Sequence, residues 1–125
     1  MSQITRNLIG MPIFNEENYL KQTLDLLKPI LDADPFLDLL LYNDGSTDAS
    51  VQIIQQAKNE WPDRIIIEQH SNPKGYGQTI IDILQFARVQ QHIYQTVITF
   101  DADLQHDPHT IPIILSSNVV AFIIP

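Results

Sequence analysis

The sequence has no cysteine, which excludes a disulfide framework, a zinc–thiolate site and a cysteine nucleophile, and is compatible with a reducing cytoplasm. Basic residues are scarce too: seven Lys and Arg stand against fifteen Asp and Glu, for a formal charge of −8. They are scattered singly, and an acidic chain without a basic patch repels a phosphate backbone, so nucleic acid is not an expected partner. No apolar run approaches the ~20 residues that cross a bilayer. Val119 to Ile124 is far too short, so this chain alone is not expected to span a membrane. The polar start, Met1 to Arg6, lacks the basic and hydrophobic segments of a secretory leader. Repeats, low-complexity tracts and linkers are missing, and 125 residues suit a single domain, 1–125, with little room for a second.

What is present is an alternation of short apolar runs with segments of helical period, the pattern of an α/β domain with a largely parallel sheet. Asn7 to Met11 reads as a first strand ended by Pro12, with Asn15 capping a helix whose first turn carries Glu16 and Glu17. Leu20, Leu24, Leu27 and Leu31 share a helical face, and Pro29 is expected to disturb the helix end. Phe36 to Tyr42 is nearly all apolar, as a buried parallel strand should be. It stops at Asn43 to Asp48, where Ser46 or Thr47 can cap a helix presenting Val51, Ile54 and Trp61. Arg64 to Gln69 is a third strand, followed by a loop, His70 to Gly77, and a helix marked by Ile80, Leu84 and Ala87. Thr96 to Phe100 is a fourth strand; a helical turn around Thr110 to Leu115 and a strand at Val119 to Ile124 are expected after it.

In open parallel sheets ligands bind beyond the carboxyl ends of the strands, where loops converge and helix N-termini point outward. The polar clusters of this sequence fall at those ends: Asn15-Glu16, Asn43-Asp44, Asn72 to Gly77, and Asp101-Ala102-Asp103. Each alone is also what turns and caps favour. Asp101 and Asp103 go further, because residues two apart on an extended segment point the same way and bring two carboxylates together. A divalent cation relieves their repulsion, and carboxylate oxygens suit Mg²⁺ or Mn²⁺, which keep positions open for water and substrate phosphates. Asp44, at a neighbouring strand end, can accept a hydrogen bond from a base N–H or a ribose hydroxyl. Tyr42 and Trp61 are read as packing residues, and His106 and His109 as solvated.

Three segments then carry a resemblance: Met11-Pro12-Ile13-Phe14-Asn15-Glu16-Glu17, Tyr42-Asn43-Asp44-Gly45-Ser46-Thr47-Asp48, and Asp101-Ala102-Asp103-Leu104-Gln105-His106-Asp107-Pro108. In order and spacing they resemble the successive signatures of family 2 glycosyltransferases with the GT-A fold, over about the first 112 residues. The third is similar to the branch that transfers sugars to polyprenyl phosphates, the dolichyl-phosphate mannosyltransferase-like enzymes. The implied fold is a Rossmann-like GT-A nucleotide-diphospho-sugar transferase domain, with a mostly parallel sheet flanked by helices.

The resemblance implies that Pro12, Phe14 and Glu16 help hold the nucleotide, Phe14 standing where the family often has tyrosine. It places Asp44 at the base, Asp101 near ribose and metal, Ala102 as a backbone contact, and Asp103 with Gln105 on the metal that bridges the diphosphate. Asp101 and Asp103 are thus the implied catalytic residues, and Gly75 joins the donor contacts. The glycine loop departs from the pattern: Asn72 precedes Gly75 by three positions and Pro73 occupies the place of the usual Asn.

The implied reaction is inverting hexosyl transfer from a UDP- or GDP-linked sugar to a polyprenyl-phosphate or glycan acceptor in cell-envelope glycan biosynthesis. A metal on Asp101 and Asp103 would stabilise charge growing on the leaving diphosphate. A polyprenyl phosphate is already anionic and can attack without the general base that a hydroxyl acceptor needs. The resemblance also implies a cytoplasmic chain, a longer form at the inner face of the membrane, and compatibility with a homo-oligomer. Family catalytic domains are longer, and the tail from Ser116 to Pro125 leaves the family pattern. The chain is therefore expected to be the N-terminal, nucleotide-binding part of a catalytic domain, binding donor and metal while turning over slowly or not at all. A non-catalytic nucleotide-sugar-binding remnant is the rival within that reading. A receiver-type signalling domain would need an acidic pair after strand one and a lysine after the last strand, whereas Pro12 ends strand one and no lysine follows Lys74. A haloacid-type phosphatase would carry its Asp-x-Asp after the first strand.

Overall fold

The computed structural model describes residues 6–90 and 93–103. The elements are β1 (Arg6–Ile13), α1 (Leu20–Ala33), β2 (Leu37–Asp44), α2 (Ser50–Glu60), β3 (Ile65–His70), α3 (Tyr76–Val89) and β4 (Tyr94–Thr99). The four strands are parallel in the order β3-β2-β1-β4. The chain thus builds outward from β1 through β2 to β3, then returns across the sheet to place β4 on the other side of β1. That reversal puts a topological switch point between β1 and β4.

The reversal also decides which face each helix covers, because parallel crossovers are right-handed. Ile9, Met11, Leu39 and Leu41 point to one face and pack with Leu20, Leu24, Leu27 and Leu31 of α1 and Ile54 of α2. Leu8, Leu40 and Val97 point to the other and pack with Ile83 and Ala87 of α3. Fully burying such a side chain contributes roughly 1.5–3 kcal/mol, so two apolar faces on β1 and β2 explain their near-continuous apolar runs. Gly10, on the α3 side of β1, lets that helix come close: a Cβ there would lie 2.3 Å from Ile83 Cγ2.

Several boundaries differ from the sequence expectation. β1 continues through Pro12 to Ile13. Gly10 O accepts from Phe100 N, so the backbone groups of residues 10 and 12 face the β4 flank, and β4 has ended at Thr99 before a Pro12 N–H would be needed. Helix α1 starts at Leu20, not at Glu16, and runs through Pro29 to Ala33, held by its buried leucine face. Asn15 does not cap it; its backbone is left-handed, with φ 50°. Nor do Ser46 or Thr47 cap α2, which starts at Ser50. Val51 is exposed, whereas Trp61 packs against the core beside Ile54. On α3 the fully covered positions are Thr79, Ile83 and Ala87, with Ile80 and Leu84 half-buried. Asn43 and Asp44 close β2, and His70 closes β3, so all three belong to strands. The segments Thr110 to Leu115 and Val119 to Ile124, with Gln105, His106 and His109, lie outside the described residues.

Candidate functional site

The start of α2 is held both along the chain, where Asp48 Oδ1 accepts from Ser50 N at 2.9 Å, and across it. After β1 and β2 the two loops exchange hydrogen bonds. Asn15 N donates to Ser46 Oγ at 3.0 Å, and Thr47 N to Asn15 Oδ1 at 2.8 Å. Glu16 N donates to Ser50 Oγ at 2.9 Å, and Ala49 N, at the start of α2, to Glu17 Oε2 at 3.0 Å. A carboxylate at a helix N-terminus is favoured by the exposed N–H groups and the dipole. This lacing holds the β1 and β2 ends as one rim, and it explains the left-handed Asn15.

Beside that rim, at the carboxyl edge of the sheet, lies a cavity of about 300 Å³. Pro12, Phe14 and Glu16 line it from the end of β1, Asp44 from the end of β2, Gly75 from the loop after β3, and Asp101, Ala102 and Asp103 from beyond β4. Eight of the nine sequence-expected site residues therefore meet at one cavity, and Gln105 lies outside the described residues. The Asp pair is not on an extended strand, however. β4 ends at Thr99, and Ala102 and Asp103 lie in a turn, so the two-residue alternation does not bring the carboxylates together. The turn is anchored instead: buried Thr23 on α1 donates its hydroxyl to Ala102 O at 2.9 Å. The Ala102 carbonyl is thus engaged inside the protein.

Asp44 is buried and its carboxylate is well supplied with donors. Lys74 N reaches Oδ1 at 2.8 Å, Gly75 N reaches Oδ2 at 2.9 Å, and His70 Nδ1 lies 2.7 Å from Oδ1. Burial alone would push this carboxyl up, but the bonds from Lys74 N, His70 and Gly75 N outweigh it and hold it below the usual range. The atypical loop has a local reason as well. Pro73 sits against Gly45, where a Cβ would be 2.8 Å from Pro73 N, and Gly45 has φ 68°. Gly75, with φ 97°, meets nothing where its Cβ would be, so backbone conformation rather than space calls for glycine there.

The β4 side is strongly acidic. Burial and then the charges of Asp103, Asp48 and Asp101 raise the Glu16 carboxyl above its ordinary range. Tyr76, opening α3, donates its hydroxyl to Asp101 Oδ1 at 2.8 Å; burial, that bond and the nearby carboxylates push the phenol up to about 12. Negative charge gathered from three elements around one opening suits a divalent cation with hard oxygen ligands. Among the described residues no group of three or more His, Cys, Asp or Glu could hold a metal ion by itself. The carboxylates of Asp101 and Asp103, which line the opening, are donors of that type, and a pair of them would leave a cation's remaining positions to substrate oxygens and water, the habit of Mg²⁺.

Four residues that shape the site escape sequence reasoning: Thr23, His70, Tyr76 and Asp82. His70 had a readable signal, since it closes β3 just as Asp44 closes β2, and the register pairs the two. Thr23, Tyr76 and Asp82 act through where α1 and α3 come to lie, which no local pattern encodes.

An open parallel sheet with an acidic cavity at its switch point defines a Rossmann-like α/β protein. The model of the family described as Glycosyl transferase family 2 matches residues 8–117, and the chain belongs to that family. It is 36% identical over 114 residues to an undecaprenyl-phosphate 4-deoxy-4-formamido-L-arabinose transferase of Photorhabdus laumondii, covering 88% of this chain and 33% of that relative. The protein of the same name from Proteus mirabilis is 32% identical over 111 residues, covering 88% and 32%. The chain thus spans about a third of the length of these relatives. Among solved structures it superposes on the mannosyltransferase PcManGT from Pyrobaculum calidifontis, in complex with GDP-Man and Mn²⁺, with TM-score 0.65 and 19% identity over 82% of this chain and 28% of that one. With residues 1–349 of S. aureus TarS in complex with UDP-GlcNAc the TM-score is 0.66 at 20% identity, over 90% and 30%. Those likenesses establish the GT-A fold. Among the described residues no helix is long and apolar enough to cross a membrane.

Proposed function

We propose that this chain is the donor-binding part of an inverting glycosyltransferase that moves a hexose from a nucleoside-diphosphate sugar to a polyprenyl phosphate, with Mg²⁺ or Mn²⁺. The observation that carries the reading is the meeting of Pro12, Phe14, Glu16, Asp44, Gly75, Asp101, Ala102 and Asp103 at one cavity on the switch-point edge of the sheet. The names of the relatives support the polyprenyl-phosphate acceptor, and the nucleotide sugars in the solved neighbours support the donor class. A lipid acceptor would bring the working protein to a membrane surface.

In this reading Pro12, Phe14 and Glu16 form the wall along the nucleotide, Asp44 accepts from the base, and Asp101 and Asp103 are the metal-holding catalytic residues. The metal supplies a Lewis acid for the departing diphosphate. An acceptor phosphate oxygen forms the new bond to the anomeric carbon as the bond to the diphosphate oxygen breaks, with inversion. The acceptor is already anionic, so none of the described residues has to take a proton from it.

A second reading, a nucleotide-sugar-binding fragment without turnover, is favoured by the one-third coverage of the relatives. Calorimetric titration with UDP- and GDP-sugars, with Mn²⁺ and after chelation, tests the donor site; no heat with either sugar in Mn²⁺ would sink both readings. Transfer to a short polyprenyl phosphate, assayed beside a longer form, separates them: binding without transfer by the chain leaves the fragment.

A further inference from the structure

The His70 imidazole is buried between two carboxylates, with Nδ1 2.7 Å from Asp44 Oδ1 and Nε2 2.6 Å from Asp82 Oδ2. Ionised carboxylates only accept, so both bonds form when both ring nitrogens donate. The ring is confined on another side by Tyr42, whose centroid is 4.9 Å away. Asp82 is itself held by Gln78 Nε2 at 2.9 Å, one helical turn back along α3. A strand end, a ring and a helix are thus linked in series behind the cavity wall.

The lone pairs of Asp44 show what the chain of bonds achieves. A carboxylate offers about four acceptor positions. Among the described residues, Lys74 N and His70 occupy those of Oδ1, whereas Oδ2 receives only Gly75 N. One position remains, on the oxygen next to the glycine that lines the cavity with Asp44. The last torsion of an Asp side chain is broad and roughly two-fold, so external donors must fix the plane. Two of those donors sit on the loop after β3; His70 is the one anchored in the sheet.

We infer that His70 is a positioning residue that, with Asp82 behind it, fixes the Asp44 carboxylate so that its one remaining acceptor position meets a nucleobase N–H. The inference deepens the donor-binding reading and rests on Asp44 contacting the base. It also assigns Asp82, which lies outside the cavity lining, a part in donor selection.

The test is the ratio of affinities for UDP and for UDP methylated at N3, which lacks the N–H, with GDP and 1-methyl-GDP as the matching guanine pair. Calorimetry on the whole chain should show the preferred nucleotide favoured over its methylated form by about tenfold or more, the effect of leaving a charged acceptor unsatisfied. His70→Asn places an amide nitrogen where Nδ1 stands but ends short of Asp82, so it lowers the ratio no further than the loss of Asp82 does. His70→Gln places it where Nε2 stands and brings the ratio within about twofold of unity, on the same principle. Asp82→Asn lowers the ratio without touching the cavity, and carries the test if His70→Gln fails to fold. A packing role alone would lower the melting temperature of these variants and leave the ratio at its wild-type value, which overturns the inference. Equal binding of both forms by the wild type rejects Asp44 as the base contact, and the inference with it; no binding of UDP or GDP rejects the donor-binding reading itself.

Discussion

The Tyr76 hydroxyl donates to Asp101 Oδ1 at 2.8 Å, joining the start of α3 to the segment after β4 across the mouth of the acidic cavity. It uses an oxygen of one of the two carboxylates that the proposed function gives to a metal, so in that reading hydrogen bond and cation compete for Asp101 Oδ1. Tyr76→Phe should tighten Mn²⁺ binding in the presence of nucleotide by about twofold to tenfold, the worth of a neutral hydrogen bond. Electron paramagnetic resonance of free Mn²⁺ reads this, and weaker binding in the variant would instead make the phenol a supporting donor. The phenol is raised from 10.0 to about 12, so whatever the bond adds is complete below 10 and lost as pH rises through about 12. Metal affinity of the wild type should therefore show no tyrosine-linked step between neutral pH and 10.

Glu16 answers to the same crowding of charge. Its carboxyl is raised above 4.5 by burial and by Asp103, Asp48 and Asp101, so the folded chain holds that proton more tightly than the unfolded one. Stability tied to it is present below 4.5 and declines as pH rises through the elevated value. Glu16→Gln should raise the melting temperature of the metal-free chain at neutral pH and leave it unchanged well below pH 4.5. Equal gains at both pH values would show that charge is not the cause.

The parts of this fold legible in the sequence are those written in local periodicity. Leu37 to Leu41 read as a strand because both its faces are covered, and Leu20, Leu24, Leu27 and Leu31 read as a helix because one stripe is. That the candidate site residues share one edge was legible because they lie at or just beyond strand ends, and parallel strands bring those ends together. What could not be read is set by contacts between loops. Glu17 serves α2 from 32 positions away, so α1 begins later than its own acids suggest. Pro12 is tolerated in a central strand because β4 stops short on that flank, a fact of neighbouring strand length. The Asp101–Asp103 relation depends on a turn held by Thr23, not on strand alternation.

Gly10 offers a test of how tightly α3 closes on the sheet. An added Cβ would stand 2.3 Å from Ile83 Cγ2, nearer than any ordinary contact, and Ile83 is fully buried on a helix packed along β1. Gly10→Ala should cost about 1–3 kcal/mol by overpacking. Ile83→Ala leaves a cavity costing about 2–5 kcal/mol. In the double variant the new methyl occupies space the isoleucine vacated, so the combined loss should be smaller than the sum. Urea unfolding of the four proteins reads the difference, and strict additivity would place the strain elsewhere.

Asp44 should govern the acid side of stability. Burial opposes its charge, yet the bonds from Lys74 N, His70 and Gly75 N hold its carboxyl below 3.8. The unfolded chain therefore takes up this proton first, and the stabilisation is complete above 3.8 and lost as pH falls through the depressed folded value. Asp82, lowered by its bonds to His70 and Gln78 against the effect of burial, acts in the same direction. Asp44→Asn keeps the shape but leaves donors facing an amide with one acceptor oxygen, a loss of about 2 kcal/mol at neutral pH. Its melting temperature should then fall less steeply than that of the wild type between about pH 5 and 2, because that linked proton is gone. Parallel acid limbs in the two proteins would show that the carboxylate, although buried and bonded, is not what the fold loses when it is acidified.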